Sequence, residues 1–465
     1  MSERLEKAKL LFVVLISLAL TLNFFYEEYQ FAQMEPVSHE YIGDEVWYTS
    51  AARNILREVF NLYPPCVSGC NATLQFNSAL NLSYFLLNYA GNYSVDVLYH
   101  YQKVENAIYV SIPKDELKEI MKKRDELNLT IVQPGWKYPE QKGILRYLNL
   151  EHPPLGKYFI ASAMLKEDVP WMWRVPGIAL ASIALFSVLL GSYLATRSLW
   201  LWVAIALLIY HDVAFRTMSM VAMLDIYSAV FSMISLALLP FKVELAIIAF
   251  ALAVSSKYTA AFYALPIAYL LLKKGKSPLA SVALPALAAL IAFALLSMPL
   301  AIKLGVTKWI TEVLNGLSWF TVSRPSGPPP ASPLDWIEGR VPSPLYIDPA
   351  VYSVTNAAIM KTALLSFLIL YPLKDRRRYS LPWYASFFLV SSLLGFELLY
   401  LKGNKTLYTF YTVVFTPMAD IGAAGIVALL TNFDDVAYSL EWWRRAVSLG
   451  WALIKGEKRL KCEVI

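Results

Sequence analysis

Two adjacent carboxylates, Asp44 and Glu45, stand in the stretch Gly43-Asp44-Glu45-Val46-Trp47-Tyr48, shortly beyond the first long apolar run of the chain. Acids at such a place either form a solvated turn behind a membrane anchor, with Trp47 and Tyr48 as interfacial aromatics, or are held at the bilayer edge to take a proton. A second chemistry-bearing stretch is Glu151-His152-Pro153-Pro154-Leu155-Gly156-Lys157. Its prolines remove two backbone donors and fix an extended approach, and Gly156 permits close backbone contact before the apolar segment that follows. A histidine at the head of so rigid an element reads either as an aimed side chain or as a hydrogen-bonded structural one. Arg174, Arg216, Asp225 and Lys257 stand alone at the ends of apolar runs or inside them. A carboxylate such as Asp225 at the centre of a spanning helix costs about 2.5–3.5 kcal/mol and usually faces a polar cavity. Arginine grips phosphate with two parallel donors and lysine as a point charge. A carboxylate to activate a nucleophile and cations to hold a leaving phosphate are the equipment for group transfer from a lipid phosphate. The plainer alternative is that Asp225 pairs with Arg216 or Lys257 to hold helices together.

These residues must be positioned by a membrane scaffold. The 465 residues are 57% hydrophobic and 16% charged, with a mean hydropathy of +0.47, whereas soluble chains carry about 25% charged residues. The expected fold class is an all-α polytopic membrane protein of about ten spans, since each needs roughly 20 mostly apolar residues. The runs are Ala8–Tyr26, Trp173–Thr196, Leu199–His211, Ser219–Pro240, Val243–Ser256, Thr259–Leu272, Leu279–Pro299, Ser353–Pro372, Leu381–Leu401 and Leu407–Leu430. The first reads as an uncleaved signal anchor with its basic end inside. Parity then puts Lys273–Lys276, Lys374–Arg378 and the basic tail on the cytoplasmic side with both termini, as the positive-inside rule requires. The sequons at Asn71, Asn81, Asn92, Asn128 and Asn404 all fall in segments this topology places outside. The net charge of +6, gathered in short segments between spans, marks orientation rather than nucleic-acid binding.

The chain divides into residues 1–60 (first span and acidic loop), 61–145 (an external inserted α+β module), 146–300 (the transmembrane core), 301–352 (an external Pro-rich loop), 353–432 (the C-terminal spans) and 433–465 (a cytoplasmic amphipathic tail). In the module, "SVDVLYHYQ", "NAIYVSIP" and "LTIVQP" read as strands, and "KDELKEIMKKRDELN" as an amphipathic helix. "RPSGPPPASP" suits a fixed extended path, and "EWWRR" suits a helix lying on the inner leaflet. Of the three cysteines, Cys66 and Cys70 are close enough to close a small disulfide loop in an oxidising space.

Taken in order, several segments resemble the protein O-mannosyltransferases that use dolichyl-phosphate mannose, members of the membrane-embedded GT-C class. "GDEVWY" looks like the family's acidic pair. "EHPPLGKYFI" followed by "WRVPGIAL" is similar to its His-Pro-Pro-Leu motif and the arginine beyond it. "AMLDIYSAVF" and "SSKYTAAFYALP" look like its Leu-Asp and Ser-Lys-Trp-Thr-Gly segments, with Tyr258 for tryptophan and Ala260 for glycine. "ASPLDW" and "KTLYTFYTVVFTPM" are similar to its late external stretches. The resemblance implies a GT-C fold and an inverting transferase. In it Asp44 is the general base for a Ser or Thr hydroxyl, and Glu45 helps bind the acceptor or orients Asp44. It further implies that Arg174, Lys257 and Lys157 contact the donor phosphate, while His152, Asp225, Trp336, Tyr408 and Tyr411 shape the pocket. The donor would be a polyprenyl- or dolichyl-phosphate mannose and the acceptor a protein, with membrane lipids around them. No cofactor is expected; the acidic pair is the one set left open to a divalent metal, and a homo- or heterodimer is left open too. The chain departs from the family in three ways. It lacks room for the β-trefoil domain of eukaryotic members, which points to an archaeal or bacterial type. It carries the inserted module. It also has Met220 near where many members have arginine, with Arg216 a turn earlier.

Two rivals stand beside this reading. A polyprenyl-phosphate-sugar transferase of the aminoarabinose-transferase kind would share the scaffold and use a lipid acceptor. A transporter would need mid-bilayer polar sites in two related halves, whereas the isolated charges here gather at one face. Oligosaccharyltransferase fits less well, because its Trp-Trp-Asp-x-Gly motif is absent.

Overall fold

The computed structural model describes residues 2–64, 66, 69–318, 321–323, 327 and 329–455. Helix α1 (Ser2–Gln33) leads through a 3-10 turn at Val37–His39 to α2 (Glu45–Asn54), which ends in a π-helical turn, Ile55–Val59. The module follows as β1 (Cys70–Phe76), α3 (Ala79–Asn88), β2 (Asp96–His100), β3 (Ala107–Ile112), α4 (Lys114–Lys122) and β4 (Leu129–Pro134). The helical body continues with α5 (Leu155–Met164), α6 (Pro170–Thr196), α7 (Leu199–Tyr210), α8 (Val213–Ser219), α9 (Leu224–Leu238) and α10 (Val243–Ser256). After a 3-10 turn at Tyr258–Tyr263 come α11 (Ala264–Lys273), α12 (Pro278–Leu304), α13 (Val306–Ser318) and α14 (Pro333–Ile337). A short hairpin of β5 (Ser343–Tyr346) and β6 (Val351–Ser353) precedes α15 (Ala357–Ile369) and α16 (Arg377–Leu401). A last 3-10 turn, Thr409–Val414, leads to α17 (Thr416–Leu430) and α18 (Phe433–Ile454).

Among the described residues, four helices are long and apolar enough to cross a membrane: Glu3–Gln33, Pro170–Thr196, Pro278–Leu304 and Arg377–Leu401. The number rises to six if the bent pairs α7 with α8 (57°) and α17 with α18 (107°) each count as one span. The sequence reading expected about ten. The difference is one of length. Helix α9 has 15 residues, about 22 Å at the helical rise, against a hydrocarbon core of about 30 Å. An apolar count does not register where the backbone breaks, as it does between Met220 and Met223 and again at Lys257. Burial separates the long helices into two kinds. The apolar windows of α6 and α16 are 61% and 56% buried, those of α1 and α12 only 22% and 17%. Helices α6 and α16 therefore form the centre, and α1 and α12 present apolar side chains outward.

The main core joins α6, α9, α10 and the turn before α17, through Trp173, Leu185, Tyr227, Met233, Phe250 and Val413. Gly156 shows how tightly this body closes. A Cβ there would lie 2.8 Å from Leu224 Cδ2 and 2.9 Å from Tyr227 Cδ2, so α5 packs on α9 at a distance that only glycine allows.

The module is a four-stranded antiparallel sheet in the order β2-β3-β1-β4. One face is covered by α3 and α4 over Leu74, Phe76, Phe85, Ile108, Val110 and Ile120. The strands and the helix read from the sequence are present. Strand β1 and helix α3 were not foreseen, although Ala72, Leu74 and Phe76 alternate with Asn71, Thr73 and Gln75; the Asn and Gln dilute the strand signal. The opposite face carries Tyr99, Tyr101 and Tyr109 around Trp136, with ring centroids 4.6–5.6 Å from it, and the His39 ring stacks on Tyr99 at 3.9 Å. Asp168 ties this face to the helices. Its carboxylate accepts from Arg53 Nε (2.6 Å), Arg53 Nη2 (2.8 Å) and Trp173 Nε1 (2.9 Å), and its carbonyl accepts from Trp136 N (2.9 Å). Cys66 and Cys70 are disulfide-bonded, with Cα atoms 4.4 Å apart. The extended path expected for residues 324–333 falls partly, and the basic residues of the tail beyond 455 fall wholly, outside the described residues.

Candidate active site

A cavity of about 710 Å³ lies between the start of α2, the segment 147–152, the turn after α10, helix α13 and the segment leading to α17. Five of the residues singled out in the sequence line it: Asp44, His152, Lys257, Tyr408 and Tyr411. They come from four stretches far apart in the chain. The other five, Glu45, Arg174, Lys157, Asp225 and Trp336, do not line it, and each supports it from behind.

The acidic pair divides at the first turn of α2. Asp44 occupies the N-cap position without capping the helix through its side chain, and it is half-buried on the cavity wall. Glu45, one residue on, turns into the protein and is fully buried. Its Oε1 accepts from Arg174 Nε and from Ala222 N, and its Oε2 from Arg174 Nη2 and from Ile42 N, all at 2.8 Å. Arg174 sends its remaining donors to the carbonyls of Val37 (Nη1, 2.6 Å) and Glu40 (Nη2, 2.7 Å). The guanidinium expected to meet a donor phosphate is instead placed among protein acceptors. It holds Glu45 and the loop that carries Asp44.

Lys257 ends α10 in an extended conformation (φ −155°), which turns its ammonium into the cavity wall. Nζ donates to Asp225 Oδ1 at 2.5 Å and lies 4.3 Å from the centre of the Tyr411 ring. Asp225, in the first turn of α9 and fully buried, fixes that ammonium from behind. Trp336 is buried in a satellite core, edge-on to Phe396 at 5.1 Å, and Phe396 in turn lines the cavity.

The "EHPP" segment is held by Lys157, whose Nζ donates to the carbonyls of Leu148 (3.3 Å), Asn149 and His152 (2.9 Å). This folds residues 147–152 into a compact arch, in which Asn149 Nδ2 donates to Glu151 Oε1 at 2.9 Å and the Tyr147 hydroxyl donates to the same oxygen. The His152 ring meets Tyr48 edge-on at 5.8 Å. Burial pushes the Lys157 ammonium down to about 7, with the Glu151 carboxylate opposing. A lysine lowered on folding leaves the unfolded chain with more bound protons between about pH 7 and its ordinary value near 10.4. Relative to Lys157→Met, the wild-type protein should therefore gain stability as pH rises from 7 towards 10, by at most about 1.4 kcal/mol per pH unit. Thermal unfolding of both proteins across that range reads the slope, and a flat difference would show the lysine charged in the folded protein.

Helix α13 supplies residues that the sequence reading passed over. Glu312, Asn315 and Gly316 face the cavity, while Val306, Ile310, Leu314 and Leu317 are exposed on the other side. That three-four spacing was a usable signal. At Gly316 the helix closes on the arch, since a Cβ there would lie 2.3 Å from Glu151 Cα. Tyr147, Asn149, Thr259 and Asn404 also line the cavity. Among the described residues, the lining offers carboxylates from Asp44, Glu151 and Glu312, one ammonium, one imidazole and several phenols. Such a set can take a proton from a hydroxyl and steady an anion. Among the described residues, no three His, Cys, Asp or Glu side chains are grouped to hold a metal ion.

No family model, curated protein or solved structure matches the chain.

Proposed function

We propose that the chain is an inverting membrane glycosyltransferase of the GT-C kind. It would move mannose from a polyprenyl phosphate to Ser or Thr hydroxyls of proteins at the extracytoplasmic face. The observation that supports the proposal is that Asp44 and Lys257, far apart in the chain, line one cavity in a body of apolar helices. In the reaction, the Asp44 carboxylate removes the acceptor hydroxyl proton as that oxygen bonds to the anomeric carbon. The bond from that carbon to the phosphate oxygen breaks on the opposite face, and the electron pair leaves with the phosphate. Lys257, held by Asp225, lies ready to steady that charge, and Tyr408 and Tyr411 offer hydroxyl and ring faces to the sugar. Arg174 and Glu45 set the loop of Asp44, and Lys157 sets the arch of His152. The ordered motifs of the sequence support this reading together with the cavity.

The experiment is to incubate membranes containing the protein with labelled polyprenyl-phosphate mannose and a Ser/Thr-rich peptide. Wild type should label the peptide. Lys257→Gln should raise KM for the donor and lower turnover, together about 10²–10³-fold in kcat/KM, if the ammonium grips the leaving phosphate as charge develops. Absence of any sugar transfer by the wild type would remove the proposal, and label appearing only in lipid would favour the lipid-acceptor reading.

A further inference from the structure

Five Asn-x-Ser/Thr triplets stand in the chain, and the structure sorts them by which of their side chains reach water. In Asn92-Tyr93-Ser94, at the turn between α3 and β2, the asparagine and the serine are exposed while Tyr93 is buried in the core of the module. Asn128-Leu129-Thr130, where the turn after α4 enters β4, repeats the pattern: Asn128 and Thr130 are exposed and Leu129 is buried in the same core. The other three triplets are held differently. At Asn71, the amide donates to Glu167 Oε1 at 3.3 Å, and Thr73 is fully buried with its hydroxyl donating to the Gly135 carbonyl at 2.8 Å. Asn81 is half-buried on α3 and Ser83 lies two residues on, about 200° round the helix, with its hydroxyl bonded to the Ala79 carbonyl at 3.1 Å. Asn404 lines the candidate active-site cavity, and its Oδ1 accepts from Thr406 N at 3.2 Å.

An N-linked glycan is bulky and hydrophilic, so its asparagine must have open water around it in the folded protein. We propose that the module faces an extracytoplasmic, oxidising space and carries N-glycans on Asn92 and Asn128, and on no other of the five. The middle residue of each of these two triplets is the anchor: buried in the module, it leaves the amide and the hydroxyl on either side of it turned outward. The Cys66–Cys70 disulfide at the head of β1 belongs to the same kind of space. In the transfer, the asparagine amide nitrogen bonds to the anomeric carbon of an oligosaccharide carried on a lipid phosphate. The bond from that carbon to the phosphate oxygen breaks, the electron pair leaves with the lipid phosphate, and the amide proton passes to a base of the separate enzyme that performs the reaction. A glycan on Asn71 would displace the amide from Glu167, and one on Asn404 would enter the cavity. Neither Asn92 nor Asn128 lines that cavity, so the two sites stand or fall apart from the transferase reading.

The test makes the full chain in cells that N-glycosylate proteins of their secretory compartment and purifies the folded protein in detergent. Peptide mass spectrometry follows, before and after the amidase that removes N-glycans and leaves aspartate in place of each carrier asparagine. Asn92 and Asn128 should be converted, and Asn71, Asn81 and Asn404 should remain asparagine. On gels, Asn92→Gln and Asn128→Gln should each lose one step of mobility shift, and the double variant should migrate as the amidase-treated wild type does. Ser94→Ala and Thr130→Ala, which leave the asparagines in place, should lose the same steps, because the hydroxyl residue is part of the acceptor. Wild type with no glycan on any of the five overturns the placement of the module. A glycan on Asn71, Asn81 or Asn404 of the folded chain, or a bare Asn92 or Asn128 in wild type, overturns the choice of sites.

Discussion

Asp44→Asn should lower sugar transfer by about 10²–10⁴-fold, the usual contribution of a positioned general base, while KM for the lipid donor stays within a factor of two or three. The amide keeps the shape of the carboxylate and loses the ability to take the proton. The loss should fall on kcat because the base acts only as the hydroxyl attacks. Little stability should go with it, since Asp44 is half-buried and does not cap α2 through its side chain. Transfer rates with labelled donor, beside unfolding temperatures of both proteins, separate the two effects. A variant that transfers at the wild-type rate would move the base elsewhere, with Glu151 and Glu312 the remaining carboxylates among the described residues that line the cavity.

Arg174→Leu should be the most destabilising single change near the site, by about 3–5 kcal/mol, because it leaves a buried carboxylate without its counter-charge. Glu45 and Arg174 are both fully buried, so solvent cannot compensate. The carbonyls of Val37 and Glu40 lose their donors as well. Combining Arg174→Leu with Glu45→Leu removes both charges and should recover a large part of the loss, a coupling that a double-mutant cycle measures. Unfolding in detergent reads it. The same series discriminates between two roles for the arginine. A positioning residue predicts that Arg174→Lys loses stability and activity together, because a single ammonium cannot make the paired bonds to Glu45. A phosphate contact predicts a raised donor KM in a protein of ordinary stability.

This bears on how much the sequence allowed. Residue types and spacing drew attention to Asp44, His152 and Lys257, and the family resemblance added Tyr408 and Tyr411; all five line the cavity although the chain scatters them. What they did not yield was direction. Consecutive residues at a helix start point about 100° apart, so one acid of the pair must face away from whatever the other faces, and nothing in "GDEVWY" says which. The partner of Glu45 is Arg174 on α6, more than a hundred residues later, a contact made by tertiary packing and not by local pattern. Lys157 shows the same limit. Its position in "HPPLGK" suggested a ligand contact, whereas its ammonium is enclosed by three carbonyls of the arch it shapes. The fold was legible in kind, mostly helical with a small inserted sheet, but not in the number of spans. Hydropathy sees composition and does not register the breaks after Tyr210, where Asp212 caps α8, at Met220–Met223 or at Lys257.

The attachment of the sheet module carries a consequence for its freedom to move. Asp168 is tied at once to Arg53 on α2, Trp173 on α6 and the backbone of Trp136, and that tryptophan anchors a patch of three tyrosine rings and His39. A part fastened at so many points moves with the helices beneath it. It presents one fixed surface and does not swing relative to the helices.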